Sequence, residues 1–193
     1  ALPICRYDGH ELKKYVHSPN NPHSIPNNLI HQIAEDEMSN IWILTDKGIA
    51  RYQRQSDDFF LPTDEKGNPI IAYSTCLTKD GVLFGSKDKV YFYSYRDSSL
   101  RLLQKLNKGS NFNISLLSLW NEHTVLCCSR WQGLALLDLK TGKHRLPPFD
   151  CGKEIMNMLI DSQNRIWIAP YNEGIKCFTH NGELVKAYTT HNS

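Results

Sequence analysis

The chain lacks an excess of charge of either sign. Its 193 residues include 22 lysines and arginines and 20 aspartates and glutamates, which gives a net charge of +2 at neutral pH. Both signs are mixed along the chain, whereas a nucleic-acid-binding domain concentrates positive charge on one surface. The sequence therefore predicts no nucleic-acid partner.

Long hydrophobic runs are also missing. The longest, such as ISLLSLW beginning at Ile114, are far shorter than the roughly 20 residues that span a bilayer. We therefore expect no membrane contact within this segment. The opening letters ALPICRYDGH place an arginine and an aspartate where a signal peptide has an apolar region. We expect the chain to be a piece of a longer protein.

Motifs of catalysis and metal binding are largely absent. The sequence contains no C-x-x-C pair, no G-x-S-x-G elbow, no H-E-x-x-H, no P-loop and no dinucleotide fingerprint. We therefore predict no catalytic residues, no metal site and no cofactor. Asp161 begins DSQNRIW, where the acidic spacing of a calcium loop fails after the first residue, so we interpret it as a turn former. Adjacent Cys127 and Cys128 fit buried packing positions on a strand.

What the sequence does contain is an internal repeat. The segment NIWILTDKGIARY from Asn40 closely matches RIWIAPYNEGIKCF from Arg165. Two weaker copies lie between them, GVLFGSKDKVYFY from Gly81 and TVLCCSRWQGLALL from Thr124. Repetition at a fixed period is the signature of repeat architectures, and it takes priority over local assignments.

The period of the repeat identifies its architecture. Each copy has an apolar residue directly after the turn in its middle. In chain order these residues are Ile49, Val90, Leu134 and Ile175, at spacings of 41, 44 and 41 residues, and Ile4 lies 45 residues before Ile49. A period of about 40 to 45 residues is typical of a four-stranded propeller blade. The N-terminal segment, aligned on Ile4, then supplies only the second half of a blade.

Both faces of the predicted strands are apolar. In NIWILT, Ile41 and Ile43 point to one face, and Trp42 and Leu44 point to the other. A sandwich would leave one face of each sheet in water, whereas radially arranged blades bury both faces. We therefore predict an all-β fold, a β-propeller segment of four four-stranded antiparallel blades plus a partial N-terminal blade. Trp42 and Trp167 are predicted to be core residues, and Trp120 is predicted to pack in the core or at a blade edge.

The repeat also predicts the limits of the blades. We expect a single open segment with a half blade and linker at 1–27 and blades at 28–70, 71–111, 112–153 and 154–193. Such a segment exposes apolar faces at both ends. The rest of a parent protein, or a second copy in a dimer, is then expected to cover them.

The letters of the repeat resemble a known family, the two-component regulator propeller repeat. The resemblance is specific in the first and last copies and weaker in the middle two, where Leu83 and Leu126 replace the tryptophan and Lys89 replaces a glycine. The residues that carry it are Asp36, Asn40, Ile41, Trp42, Ile43, Thr45, Gly48, Ile49, Arg51 and Tyr52, and then Asp161, Ile166, Trp167, Ile168, Gly174 and Ile175.

This resemblance implies a function that composition does not show. Repeats of this kind build the periplasmic sensor region of hybrid two-component regulators in glycan-degrading gut bacteria. It implies a ligand-sensing propeller segment, a fragment of such a receptor, with an oligosaccharide as ligand. Two alternatives remain open: a protein-interaction or dimerisation scaffold, and a propeller-type glycan lyase or hydrolase.

The hairpins between second and third strands carry the candidate ligand-binding residues. In a meander these hairpins emerge at one end of the blades, and the other end carries turn formers. Rings that stack on sugar faces and side chains that bind hydroxyl or carboxylate groups suit an oligosaccharide. The candidates are Arg130, Trp131, Tyr171, Asn172, Asp46 and Lys47.

Overall fold

The structure, a computed structural model, describes residues 4–106, 112–152 and 154–189. An N-terminal hairpin contains β1 (Ile4–Tyr7) and β2 (Leu12–Tyr15). Sheet 1 contains β3 (Ile30–Glu35), β4 (Ile41–Thr45), β5 (Gly48–Gln53) and β6 (Asp58–Phe60). Sheet 2 contains β7 (Ser74–Thr78), β8 (Gly81–Ser86), β9 (Lys89–Ser94) and β10 (Leu100–Lys105). Sheet 3 contains β11 (Leu116–Asn121), β12 (Thr124–Ser129), β13 (Gly133–Asp138) and β14 (His144–Arg145). Sheet 4 contains β15 (Ile155–Ile160), β16 (Ile166–Pro170), β17 (Ile175–Phe178) and β18 (Leu184–Tyr188).

Each of the four sheets is built from consecutive strands. Its hydrogen-bonded order follows the chain, as in an antiparallel meander. This is the predicted propeller segment of four blades plus a partial N-terminal blade, and the fold class is confirmed. The described residues include no helix of the length and apolarity that a bilayer crossing requires. The predicted limits at residues 1, 111, 153 and 193 lie outside the described residues.

The chain divides into two compact units, each with its own core. Unit 1 comprises the residues up to Ser86 together with Tyr91–Leu102, and unit 2 comprises Lys87–Val90 and the residues from Leu103 onward.

Strand β4 buries side chains on both faces of sheet 1. On one face, Trp42 and Leu44 pack into a core with aromatic residues of sheet 2. On the other face, Ile43 packs into a second core with Phe59. Side chains alternate along a strand, so adjacent letters serve two different cores. The predicted split between the Trp42 and Ile43 faces is confirmed.

In unit 2, one core lies between sheets 3 and 4. Cys128 joins Ile166 and Ile168 in this core, and its neighbour Cys127 is fully buried as well. The prediction that both cysteines are packing residues is confirmed. Burial raises the pKa of the Cys128 thiol to about 12, which keeps it neutral. Trp120 is also a core residue, as predicted.

Trp167 is not a core residue, although its repeat position predicted that it would be. It is only half-buried. The core of unit 2 lies on the opposite face of β16, at Ile166 and Ile168. Trp167 instead stacks on Tyr188, with the ring centroids 6.2 Å apart. The equivalent Trp42 is buried because sheet 2 covers its face with Phe84.

In sheets 1 and 4, an aspartate links the turn between the first and second strands to a tryptophan. Asp36 accepts hydrogen bonds from the backbone N–H of Asn40 at 2.8 Å and from Nε1 of Trp42 at 2.7 Å. Asp161 accepts equivalent bonds from the N–H of Arg165 at 2.9 Å and from Nε1 of Trp167 at 2.8 Å. Asp161 is thus the predicted turn former and also binds an indole.

These bonds change the ionisation of both aspartates. Burial alone would raise the pKa of Asp36, but donors including the Trp42 indole outweigh it and lower the pKa. The Trp167 indole is the largest cause that holds the pKa of Asp161 well below its usual range. Both carboxylates are therefore charged at neutral pH.

We predict that Trp42→Phe costs more than Trp167→Phe. Trp42→Phe removes a buried donor and leaves a buried carboxylate with one bond fewer, at a cost of about 1–3 kcal/mol. Trp167→Phe acts at a half-buried site where water replaces the donor, so we expect less than about 1 kcal/mol. Urea unfolding of the two variants checks this, and equal losses would contradict it.

The N-terminal hairpin packs on sheet 1 as sheet 1 packs on sheet 2. Arg51 of β5 donates a hydrogen bond to the hydroxyl of Tyr93 at 2.6 Å. Arg6 of β1 donates the equivalent bond to the hydroxyl of Tyr52. Ile4 of β1 packs against the sheet 1 core. The hairpin therefore occupies the place of the third and fourth strands of a blade.

Asp57 holds this hairpin against sheet 1. Its carboxylate pairs with Lys13 and with Arg6, the latter at 2.9 Å, and accepts a hydrogen bond of 2.5 Å from the hydroxyl of Tyr15. Tyr52 donates a further bond of 2.5 Å. These donors, Lys13 first, hold the pKa of Asp57 well below its usual range.

We predict that the docking of the hairpin depends on the charge of Asp57. A lowered folded-state pKa adds stability that is fully present above the ordinary value of 3.8 and is lost as the pH falls through the lowered value. At pH 7, Asp57→Asn should therefore lower the protection factors of the amides in Ile4–Tyr7 and Leu12–Tyr15, as strong acid does in the wild type. Exchange in sheet 4 is the internal control. Unchanged protection of the hairpin in the variant would contradict the prediction.

Candidate functional site

Four of the six predicted site residues lie on two hairpins of unit 2. Arg130 and Trp131 connect β12 to β13, and Tyr171 and Asn172 lie between β16 and β17. All four are exposed, Trp131 by 65% and Tyr171 by 53%. The Arg130 guanidinium lies 5.1 Å from the Trp131 ring centre, within cation–π range. The first hairpin thus offers an exposed aromatic face next to a guanidinium group.

The backbone brings these two hairpins to the same end of unit 2. A Cβ on Gly133 would lie 3.8 Å from the carbonyl oxygen of Gly152, and a Cβ on Gly152 would lie 3.2 Å from Oε1 of Glu173. The N–H of Tyr171 donates a 2.9 Å hydrogen bond to the carbonyl of Glu154. The first hairpin, the connection between sheets and the second hairpin are therefore neighbours.

The second hairpin has a defined backbone conformation. Asn172 has a φ of 58°, in the left-handed region that asparagine tolerates better than most residues. Gly174 has a φ of 79°, and a Cβ there would overlap the carbonyl oxygen of Tyr188. Only glycine fits at 174. Asn172 therefore forms the turn as well as offering an amide.

One ion pair lies at this end of unit 2. Lys176 pairs with Glu173 through an Nζ–Oε2 distance of 2.5 Å. The Arg130 guanidinium faces the Trp131 ring. Lys176 was not among the predicted site residues, and its three-residue spacing from Glu173 is the signal that could have indicated the pair. Across the described ranges, no three potential metal-ligating side chains group together.

Asp46 and Lys47 lie on the hairpin between β4 and β5 of unit 1 and are exposed. Asp46 pairs with Nε2 of His31 at 2.5 Å. His31 in turn lies against Tyr73, with the ring centroids 5.3 Å apart. The sequence did not indicate His31, because its partner is 15 residues away and on another strand.

Unit 1 also contains a polar groove that the sequence did not indicate. It holds about 470 Å³ between the β3–β4 turn and the β5–β6 turn, and its walls include Asn40, Gln53 and Arg54. These turns lie at the end of sheet 1 opposite the β4–β5 hairpin. The sequence predicts turn formers at that end of the blade, among them Ser39 and Asn40.

Comparisons with known proteins identify the fold of the chain. No protein-family pattern matches the sequence, and no curated protein does either. Among solved structures, the chain is similar over its full length to the extracellular domain of a protein described as a one-component system of Bacteroides thetaiotaomicron, with a TM-score of 0.74 and 16% identity. The chain therefore has the fold of a segment of this extracellular domain.

Two further structures show the same likeness. One is the extracellular domain of a protein described as a hybrid two-component system from the same organism, with a TM-score of 0.66, 17% identity and 94% of this chain covered. The other, also from B. thetaiotaomicron, is a protein of unknown function with a TM-score of 0.66, 12% identity and 83% covered. The chain spans 29%, 25% and 43% of these three structures.

We predict that the turn role and the amide role of Asn172 can be separated. Asn172→Gly removes the amide but suits the positive φ, so the free energy of unfolding should change by less than about 0.5 kcal/mol. Gly174→Ala should instead cost more than about 1 kcal/mol, because the added Cβ overlaps a carbonyl. Thermal unfolding distinguishes the two, and a large loss for Asn172→Gly would show that its side chain is structural.

Proposed function

We propose that the chain is a ligand-sensing segment of an extracytoplasmic receptor of the two-component type. The observation that carries this proposal is the likeness of the whole chain to extracellular domains of bacterial signalling systems. Those proteins are described as signalling systems, and we extend that role to this chain by its fold. The same likeness supports a periplasmic location. The chain acts in this proposal by binding and has no catalytic role.

The ligand in this proposal is an oligosaccharide. Sugar rings have apolar faces that stack on aromatic rings, and Trp131 and Tyr171 offer two exposed rings on neighbouring hairpins. Arg130 and Asn172 supply donors for hydroxyl or carboxylate groups. Asp46 and Lys47 supply a second polar hairpin in unit 1. Rigid strands hold these hairpins, as is usual for binding loops.

A protein-interaction scaffold is the main alternative. Exposed apolar side chains on sheet 4 favour it, among them Leu159 at 59% and Ile175 at 45% exposure. Surfaces of this kind mark contacts between proteins. In that case the rest of a parent receptor or a second copy of the chain would be the partner. A glycan lyase or hydrolase would need a polar constellation that the two hairpins of unit 2 do not provide.

Titration with a panel of neutral and uronate-containing oligosaccharides tests the sensing proposal. We expect at least one to bind the chain, and Trp131→Ala combined with Tyr171→Ala to weaken that binding at least about ten-fold, since two stacked rings are lost. The melting temperature should hardly change, because both rings are exposed. Tyr7→Ala is the matched control, since Tyr7 is 68% exposed on the N-terminal hairpin.

The same double variant in an intact receptor gives the second readout. Glycan-dependent signalling should be lost while the receptor remains folded. Unaltered signalling would place the ligand elsewhere. A complex with a protein partner that forms without any glycan and survives the double substitution would favour the scaffold.

A further inference from the structure

An apolar pocket lies between the N-terminal hairpin and sheet 1. It holds about 160 Å³, and Ile4, Ile33, Ile43, Tyr15, Tyr52 and Phe59 are among the residues that line it. Ile33, on the first strand of sheet 1, is 53% exposed there. A space of this size and polarity is large enough for one aromatic ring. The pocket is therefore a candidate binding site for an aromatic group.

The packing of sheet 1 on sheet 2 shows what occupies the equivalent space elsewhere in the chain. There the Trp42 ring packs on Phe84 and Tyr93, with centroids 5.2 and 4.7 Å apart. The Arg51 guanidinium lies 5.9 Å from the Trp42 ring centre. Ile49 belongs to the same core. These four residues surround one indole.

Each of these four neighbours has a counterpart around the apolar pocket. The repeat offset of 41 residues relates Phe84 to Ile43 and Tyr93 to Tyr52. The offset of 45 residues relates Arg51 to Arg6 and Ile49 to Ile4. All four counterparts line the pocket. Trp42 is the member of the set that has no counterpart among the pocket's lining residues.

The strand order shows which edge of the hairpin corresponds to the position of the tryptophan strand. In sheet 1, β5 lies between β4 and β6, and β4 carries Trp42. In the hairpin, β1 takes the place of β5 and pairs with β2 in a two-stranded sheet. The place of β4 is the remaining edge of β1, next to the pocket. A strand there would also hold its tryptophan opposite Arg6, as Trp42 is opposite Arg51.

We propose that this pocket is a docking site for an indole carried on a β-strand that pairs with β1. In sheets 1 and 2 the first strands lie side by side, since the N–H of Thr75 donates to Oε1 of Gln32. By the same arrangement, a strand before the docked one would cover Ile33, so the occupant is a β-hairpin with the pattern of β3 and β4. We take its source to be the same polypeptide, because each of the four complete sheets is built from four consecutive strands. The new surface would extend the packing that Ile4 and Tyr15 already make on sheet 1.

The chain itself supplies the test. In a fusion protein, a copy of residues 28–48 replaces residues 1–3, so that a copied β3–β4 hairpin leads into Ile4 through its native turn. We expect the melting temperature to rise by roughly 5 °C, as burial of an indole and of Ile33 predicts, and the amides of Ile4–Tyr7 to exchange at least about ten-fold more slowly. The matched control is the same fusion with Trp42→Ala in the copy, which should lose most of both gains.

Free indole is an independent probe of the pocket. We expect it to slow amide exchange in β1 of the native chain, because a ligand of the folded state stabilises it. Ile33→Glu should abolish this effect, whereas Ile175→Glu, at an isoleucine of similar exposure on sheet 4, should not. The intact fusion should not respond, since its own ring fills the pocket.

Three outcomes would overturn the proposal. One is a fusion that gains no protection in β1, or gains as much without the copied tryptophan. Another is an indole effect that persists in Ile33→Glu or in the intact fusion. The third is a dimer of the native chain that Ile33→Glu converts to monomer, which would identify a second copy as the occupant in place of the same polypeptide.

Discussion

Each sheet of this chain has two apolar faces, and the rest of the structure depends on covering them. A strand with one buried face can alternate apolar and polar letters, but β4 buries consecutive residues in two different cores. Such a sheet leaves apolar side chains in water unless a neighbour covers each face. Where a neighbouring sheet is present, as over Trp42, the side chain is buried. At the N-terminal hairpin, where two strands stand in place of four, an apolar pocket remains.

The aspartate between the first two strands connects this packing to the local turn. An indole N–H that enters a core needs an acceptor, and Asp36 provides one while it also binds the backbone of its own turn. The same carboxylate thus positions a turn and a core side chain. Asp161 makes equivalent bonds although Trp167 is only half-buried. The bond between the aspartate and the indole is therefore local and does not require a neighbouring sheet.

The exposed hairpins follow from the same constraint. Many strand residues are buried in cores, so the side chains that we propose for recognition lie on exposed hairpins, such as the one with Trp131. Their backbones are nevertheless well defined, because Gly174 and Asn172 set the turn between β16 and β17. In sheet 1, the turn-forming residues at the end opposite the β4–β5 hairpin also line a polar groove, beside Arg54.

The sequence by itself determined the features that depend on near neighbours along the chain. Period-two alternation assigned Ile43 and Trp42 to opposite faces, and the repeat spacing determined four complete blades and the half blade. It could not determine that Trp167 is half-exposed, since its letter and its turn match those of Trp42. Nor could it indicate that Asp57 holds the hairpin, or that an apolar pocket lies beside Ile33. Only the tertiary structure decided these, because burial and long-range pairing depend on which surface a residue meets in space.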